Sequence, residues 1–143
     1  MTIAENLDGI LSRIEAARKA AIKPTAATRL VAVSKTVPES GVREALAAGK
    51  RLFGENRVQE AQGKFPAMKG EFPDLELHLI GPLQTNKVKE AVALFDVIQT
   101  LDRPKLADAL AQERDKSGKA PRLFLQVNTG EEPQKAGVAP QGA

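Results

Sequence analysis

Apolar residues recur at intervals of three and four between residues 3 and 22, which predicts an amphipathic helix there. Thr2 and Glu5 have the spacing of a capping box, so we expect the helix to begin beside them. Pro24 disfavours the α conformation at the residue before it, so the helix should end there and a linker should reach residue 28. The apolar positions of this helix are Leu7, Ile10, Leu11, Ile14, Ala17 and Ala21.

After the linker, short apolar runs alternate with helical patterns. Such alternation is typical of parallel βαβ units, because each crossover between parallel strands needs a connection of helical length. The predicted fold class is therefore α/β, and no interior boundary divides residues 1–143 into two domains. The predicted strands lie near 29–34, 51–55, 75–80, 95–100 and 122–128, and the predicted helices near 39–48, 57–69, 85–93 and 103–117.

Glycine and short polar residues mark the predicted helix ends. Gly49 and Gly118 should terminate two of the helices, since glycine readily adopts the left-handed conformation that follows a helix. Side chains with a hydrogen-bond acceptor should cap the beginnings of three helices. The predicted caps are Asn56, then Asn86 or Thr85, and finally Asp102.

Polar residues also gather where each predicted strand ends. In parallel α/β folds these ends share one edge of the sheet, where ligands bind. A capping or turn role is the simpler interpretation of any single Asn, Asp or Thr. Lys35 is different, because it closes the apolar run 30–34 and carries an amine that can form an imine with an aldehyde. That chemistry calls for partly dry surroundings, and the alternative is a solvated lysine at a strand end.

Three further residues lie at or near this edge. Glu55 and Asn56 end the second strand, and we expect Glu55 to pair with a lysine or arginine while Asn56 caps a helix or contacts a ligand. His78 alternates with Leu77 and Leu79, so it should point into a barrel interior. There it is either a hydrogen-bonded core histidine or a residue beneath a ligand ring.

Composition excludes several classes of function. The chain has no cysteine and one histidine, and its acidic residues lack metal-ligand spacing, so we predict no metal site. Charges of both signs are interspersed around a net +3 and aromatic residues are only 3%, so nucleic acid is not an expected partner. No secretory signal or membrane-spanning run is visible, and a cytoplasmic protein is the expectation. No glycine-rich phosphate loop follows any strand.

Four segments of the chain together resemble the pyridoxal-phosphate homeostasis proteins, the YggS/PROSC-like family. The resemblance runs in the family's order from Ile3 to Pro140, although Leu77 stands where the family commonly has tryptophan. The segments are Leu30-Val31-Ala32-Val33-Ser34-Lys35-Thr36, Phe53-Gly54-Glu55-Asn56-Arg57-Val58-Gln59-Glu60-Ala61, His78-Leu79-Ile80-Gly81-Pro82-Leu83-Gln84-Thr85-Asn86-Lys87 and Gln126-Val127-Asn128.

The resemblance implies a TIM-like (β/α) barrel of the alanine-racemase N-terminal type. It also implies pyridoxal 5′-phosphate held as a Schiff base on Lys35, with Asn56, His78 and Asn128 lining the site. The implied function is intracellular cofactor homeostasis without established catalytic turnover, with PLP-dependent apoenzymes as recipients of the cofactor.

Five strands do not close an eight-stranded barrel, which typically needs about 250 residues. We therefore expect the domain 1–143 to be incomplete at its C-terminus, truncated after about five strands. The family's segments that hold the cofactor phosphate, and an arginine facing the pyridine nitrogen, belong to the later strands. An unpaired strand edge near 122–128 should also favour self-association.

Three other functions remain open at this stage. A racemase of the same fold needs an acid or base on each face of the cofactor, and the chain contains no tyrosine to act as the second base of the alanine-racemase pattern. A lysine-dependent aldolase would form imines with carbonyl substrates directly, without a cofactor. The chain could also be a non-functional fragment in which Lys35 is merely solvated.

Overall fold

A computed structural model describes residues 1–143 and contains one parallel sheet of five strands in the order β1-β2-β3-β4-β5. The strands are β1 (Ala32–Val33), β2 (Leu52–Glu55), β3 (Glu76–Leu79), β4 (Val97–Leu101) and β5 (Arg122–Leu125). The helices are α1 (Ile3–Ala20), α2 (Glu39–Ala47), α3 (Val58–Glu71), α4 (Val88–Leu94) and α5 (Pro104–Ser117). Strand order that follows chain order is the arrangement of a (β/α) barrel wall, and the predicted α/β class is confirmed.

The predicted start of α1 and two predicted helix ends are confirmed. The Oγ1 atom of Thr2 accepts the backbone N–H of Glu5 at 3.1 Å, and the N–H of Thr2 donates to the Glu5 carboxylate at 2.7 Å. Gly49 and Gly118 follow α2 and α5 with φ of 95° and 74°, a conformation in which a side chain would be strained. Local sequence signals therefore fix these three boundaries.

The side-chain caps predicted for the beginnings of α3, α4 and α5 are wrong. Asn56 lies two residues before α3, and Thr85 and Asn86 lie in a single 3-10 turn before α4, so none of them is at a cap position. Asp102 precedes the true cap of α5, and its carboxylate accepts hydrogen bonds from the Arg103 guanidinium and the Gly137 N–H instead. Pro104 begins α5 without a side-chain cap, as its fixed φ allows.

The hydrophobic core lies between the helices and one face of the sheet. Alternate residues of the strands, Phe53, Leu77, Leu79 and Ile98 among them, point to this face and are fully or almost fully buried. The side chains of Phe65 and Met68 on α3 complete the same cluster. The opposite face, called the inner face below, is only partly covered, and Val33 of β1 is 48% exposed there.

Strands β1 and β5 form the two edges of the sheet. Leu123, Phe124 and Leu125 of β5 are about half exposed, and the expected self-association through this edge stays a prediction. Beyond β5 the chain loops back, so that Val127 forms a parallel bridge with Val138 and the N–H of Asn128 donates to the Val138 carbonyl. None of the helices has the length and apolarity needed to cross a membrane.

Candidate functional site

Lys35 lies in a turn directly after β1, at the carboxyl edge of the sheet. Its side chain is exposed, and its ammonium group forms no hydrogen bond or ion pair. The next residue, Thr36, has φ of 63°, a left-handed conformation that is unusual for a β-branched residue. The structure thus presents a free primary amine on a constrained turn. The partly dry surroundings expected for this amine are not provided by these five strands, because the inner face beside it is open.

Two side chains of α3 hold this turn in place. The Glu60 carboxylate accepts the backbone N–H of Thr36 at 2.5 Å. The Lys64 ammonium donates to the carbonyl oxygens of Ser34 at 2.8 Å and Val37 at 3.0 Å, one on each side of the turn. The hydrogen bond from the Thr36 N–H is the main cause that lowers the pKa of Glu60 below its usual value. Burial acts in the opposite direction and raises this pKa.

Glu55 points towards the helices and not towards the inner face. Its side chain is fully buried, and Lys64, which is only 10% exposed, lies 3.2 Å from its carboxylate. The hydroxyl of Ser34 donates to the same carboxylate at 2.6 Å. The expectation that Glu55 pairs with a basic residue is confirmed, and this pair connects β1, β2 and α3 beneath the turn.

Asn56 is half-buried where β2 leads into α3, beside a cavity of about 460 Å³. The first turn of α3 and the loop after β3 form its walls. Gly81 packs so closely here that a Cβ atom would lie 2.2 Å from the carbonyl oxygen of Asn56. The cavity is lined by Asn56, Arg57, Val58, Gln59, Pro82, Leu83, Gln84 and Lys87.

His78 is buried on the inner face, and both of its ring nitrogens have partners. Its Nε2 atom lies 3.1 Å from the Glu76 carboxylate, and its Nδ1 atom lies 2.8 Å from the side-chain nitrogen of Gln99. The ring of Phe124 meets the imidazole edge to face at 6.5 Å between centroids. His78 is therefore hydrogen-bonded, but it lies outside the hydrophobic core cluster, and its contact with a ligand ring stays a prediction.

The charged network around His78 is not among the features predicted from the sequence. The Glu76 carboxylate also binds the guanidinium groups of Arg29, at 2.7 Å, and Arg122. Burial by itself raises the pKa of Glu76, but the hydrogen bonds from His78 and Arg29 and the charge of Arg29 bring it below its usual value. The available signal was alternation, because Glu76 stands two residues before His78 in an otherwise apolar strand and therefore shares its face.

We expect a Glu76→Gln variant to lose stability at neutral pH and to show a weaker pH dependence than the parent. Because the native pKa of Glu76 is lowered, its ionised form stabilises the fold above the unfolded-state pKa, and this contribution is lost as the pH falls through the native value. Urea midpoints of both proteins, measured from neutral to acidic pH, should converge on acidification. A Glu44→Gln variant is altered at an exposed glutamate without an ion pair, so the difference between its urea midpoint and that of the parent should stay the same at every pH. If the midpoint difference between Glu76→Gln and the parent also stayed the same at every pH, ionised Glu76 would not be the stabilising group.

Asn128 lies beyond β5, and its amide closes a local loop. The amide nitrogen donates to the carbonyl oxygen of Glu132 at 2.8 Å, and the amide oxygen accepts the N–H of the same residue at 3.3 Å. Lys35, Asn56 and His78 belong to the adjacent strands β1, β2 and β3 or follow them directly. Asn128 follows β5, the edge strand opposite to β1. Lys35, Asn56 and His78 therefore lie in or follow three consecutive strands, and Asn128 follows a strand two places beyond that of His78.

Comparison with known proteins supports the resemblance seen in the sequence. A pyridoxal phosphate homeostasis protein of Pseudomonas aeruginosa is 44% identical over 142 residues, covering 98% of this chain and 60% of that protein. The structure of PipY from Synechococcus elongatus without PLP has a TM-score of 0.84 and 42% identity, covering 99% of this chain and 60% of PipY. PipY with PLP bound has a TM-score of 0.81 and 41% identity, with coverage of 98% and 59%.

These matches confirm the predicted similarity to the homeostasis proteins and the fold type. The chain spans about 60% of the length of the relatives it matches. The model of the family described as alanine racemase, N-terminal domain, matches residues 6–143. The five-stranded parallel sheet, with its lysine at the end of β1, is therefore that of a member of the alanine racemase N-terminal domain family.

Proposed function

We propose that this chain binds pyridoxal 5′-phosphate covalently through Lys35 and serves cofactor homeostasis without catalytic turnover. The observation that carries the proposal is the Lys35 amine, which is exposed, free of partners and placed on a constrained turn at the carboxyl edge. The names of the similar homeostasis proteins and the PLP-bound form of PipY support the same ligand.

The residues present fit one end of this cofactor. Pyridoxal 5′-phosphate supplies an aldehyde, which condenses reversibly with a primary amine, and Lys35 offers such an amine. We propose that Asn56 and His78 line the site beside it, because they occupy the next two strands. Asn128 would close the site from the far edge of the sheet. This chain has no glycine-rich loop of the kind that binds phosphate groups. We therefore expect its affinity for pyridoxal 5′-phosphate to depend mainly on Lys35.

Release of the cofactor to PLP-dependent apoenzymes is the role we propose for this site. A covalent link to an exposed amine is open to exchange with another amine, which suits temporary storage. The chain contains no tyrosine, the residue that supplies the second base in the alanine-racemase pattern. This composition favours binding over racemisation, which needs an acid or base on each face of the cofactor.

Borohydride reduction of the chain with pyridoxal 5′-phosphate, followed by peptide mass mapping, tests the proposal. We expect the pyridoxyl group predominantly on Lys35 and none at this position in a Lys35→Arg variant. A Lys23→Arg variant, altered at another exposed lysine, should label at Lys35 like the parent. Label scattered over many lysines would contradict the assignment of Lys35. Exchange of an amino acid's α-deuterium with solvent by the loaded protein would contradict the absence of turnover.

A further inference from the structure

The turn that carries Lys35 is fixed by groups outside its own strand. We infer that Glu60 is a positioning residue for Lys35, acting through the hydrogen bond from the backbone N–H of Thr36 to its carboxylate. This inference rests on the proposed function of Lys35 and adds a residue to it. Glu60 does not belong to the site predicted from the sequence, and it lies on α3, twenty-five positions along the chain from Lys35.

The backbone of the turn explains why such a residue is needed. Thr36 is held at φ of 63°, where a β-branched side chain crowds its own backbone, so this conformation persists only with outside support. The Thr36 hydroxyl donates to the Lys35 carbonyl at 2.6 Å, which satisfies that acceptor locally. The Thr36 N–H has its partner on α3, the Glu60 carboxylate at 2.5 Å.

The Glu60 carboxylate is itself held in place. Lys64, one helical turn further along α3, donates to the same Glu60 oxygen at 3.3 Å. The Lys64 ammonium also binds the carbonyl oxygens of Ser34 and Val37, so both ends of the turn are fixed to the group that orients Glu60. Glu60 also stands in the first turn of α3, where a negative charge interacts favourably with the helix dipole.

The consequence concerns the direction of the Lys35 side chain. The Cα–Cβ bond of Lys35 leaves the backbone one residue before the hydrogen-bonded N–H of Thr36, so fixing this peptide group fixes the direction of that bond. Without the Glu60 carboxylate, the Thr36 N–H would bind water and the turn could relax to negative φ. Lys35 would then stay chemically intact but would no longer be held towards the carboxyl edge of the sheet.

Three variants of the full chain test this role. Glu60→Ala removes the acceptor, Glu60→Gln keeps an oxygen that can accept the N–H, and Glu71→Ala removes a different carboxylate from the same helix as a control. Glu71 is exposed and pairs with Arg43 at 2.8 Å, so its loss alters charge and an ion pair but not the turn. Circular dichroism should show all three variants folded before they are compared.

The first measurement needs no cofactor. Hydrogen exchange of the Thr36 amide, followed by NMR, should be at least about tenfold faster in Glu60→Ala than in the parent, intermediate in Glu60→Gln and unchanged in Glu71→Ala. The second measurement is the share of pyridoxyl label on Lys35 among all lysines after reduction. That share should fall about threefold or more in Glu60→Ala and recover partly in Glu60→Gln.

The outcomes separate the two proposals. Unchanged exchange of the Thr36 amide in Glu60→Ala would overturn the inference, and so would faster exchange with an unaltered share of label on Lys35. Equal effects of Glu60→Ala and Glu71→Ala would also overturn it, because general loss of stability would then suffice. Absence of label on Lys35 in the parent chain would instead reject the proposed function, and with it any positioning role towards the cofactor.

Discussion

Replacing Lys64 with methionine should destabilise the chain by about 3–5 kcal/mol, the cost of leaving a buried carboxylate without its counter-charge. Glu55 is fully buried, and Lys64 is its only basic partner, 3.2 Å away. Methionine has a similar length and fills the same space, so the change removes charge and hydrogen bonds more than packing. The carbonyl oxygens of Ser34 and Val37 lose a donor at the same time. Such a loss is a large part of the stability of a typical domain.

Urea unfolding followed by circular dichroism would measure this effect. A Lys89→Met variant, altered at an exposed lysine of α4 that forms no ion pair, should stay within about 0.5 kcal/mol of the parent. Adding Glu55→Gln to Lys64→Met should restore part of the loss, since the neutral amide costs less to bury than the carboxylate. A Lys64→Met variant within about 1 kcal/mol of the parent would contradict the assignment of this pair as a buried ion pair.

Gly81→Ala should destabilise the chain by about 3 kcal/mol, at the upper end of the cost of overpacking. The added Cβ atom would meet the backbone carbonyl of Asn56 at 2.2 Å, and a backbone atom cannot swing aside as a flexible side chain can. The loop after β3 and the start of α3 would have to separate. We therefore expect changed amide chemical shifts from Asn56 to Gln59, together with a lower unfolding midpoint.

Gly63→Ala is the matched control for this substitution. Gly63 lies inside α3, and nothing lies within 4 Å of a Cβ atom added there. Because alanine favours the helix by about 1 kcal/mol over glycine, this variant should be more stable than the parent. If Gly81→Ala behaved like Gly63→Ala, the close approach between the two loops would not exist in solution.

The periodicity of the sequence predicted the elements well because it reflects contacts within each element. All five strands and all five helices appear at the predicted places, and α1 ends only two residues before the predicted limit. β1 is shorter than predicted, since only Ala32 and Val33 are in register with β2. The Lys50 ammonium binds the carbonyl of Leu30, which lies in the predicted strand but outside the observed one. The periodicity of apolar residues does not predict that a lysine side chain, and not a neighbouring strand, binds this carbonyl group.

The candidate site was predicted less completely than the fold. Lys35 and Asn56 follow strands as predicted, because a strand end is recognisable in the sequence of a parallel sheet, and their contact with a ligand stays a prediction. The caps at Asn56 and Asp102 were wrong, because the residue at which a helix begins depends on the path of the loop before it. The contacts of Glu76 with Arg29 and Arg122 join residues 47 and 46 positions apart. Those contacts depend on how β1, β3 and β5 are arranged in the sheet, and local sequence patterns do not predict that arrangement.

The bridge between Val127 and Val138 shortens the open edge beside β5. The returning chain occupies the edge beyond β5, so the open run of this strand is only Arg122–Leu125, about 13 Å at ~3.3 Å per residue. About two of these four residues direct their backbone groups outwards, so an added strand would gain few hydrogen bonds. Growth into long fibrils needs a continuous ladder of such bonds. The four residues of β5 should therefore be a poor template for such growth.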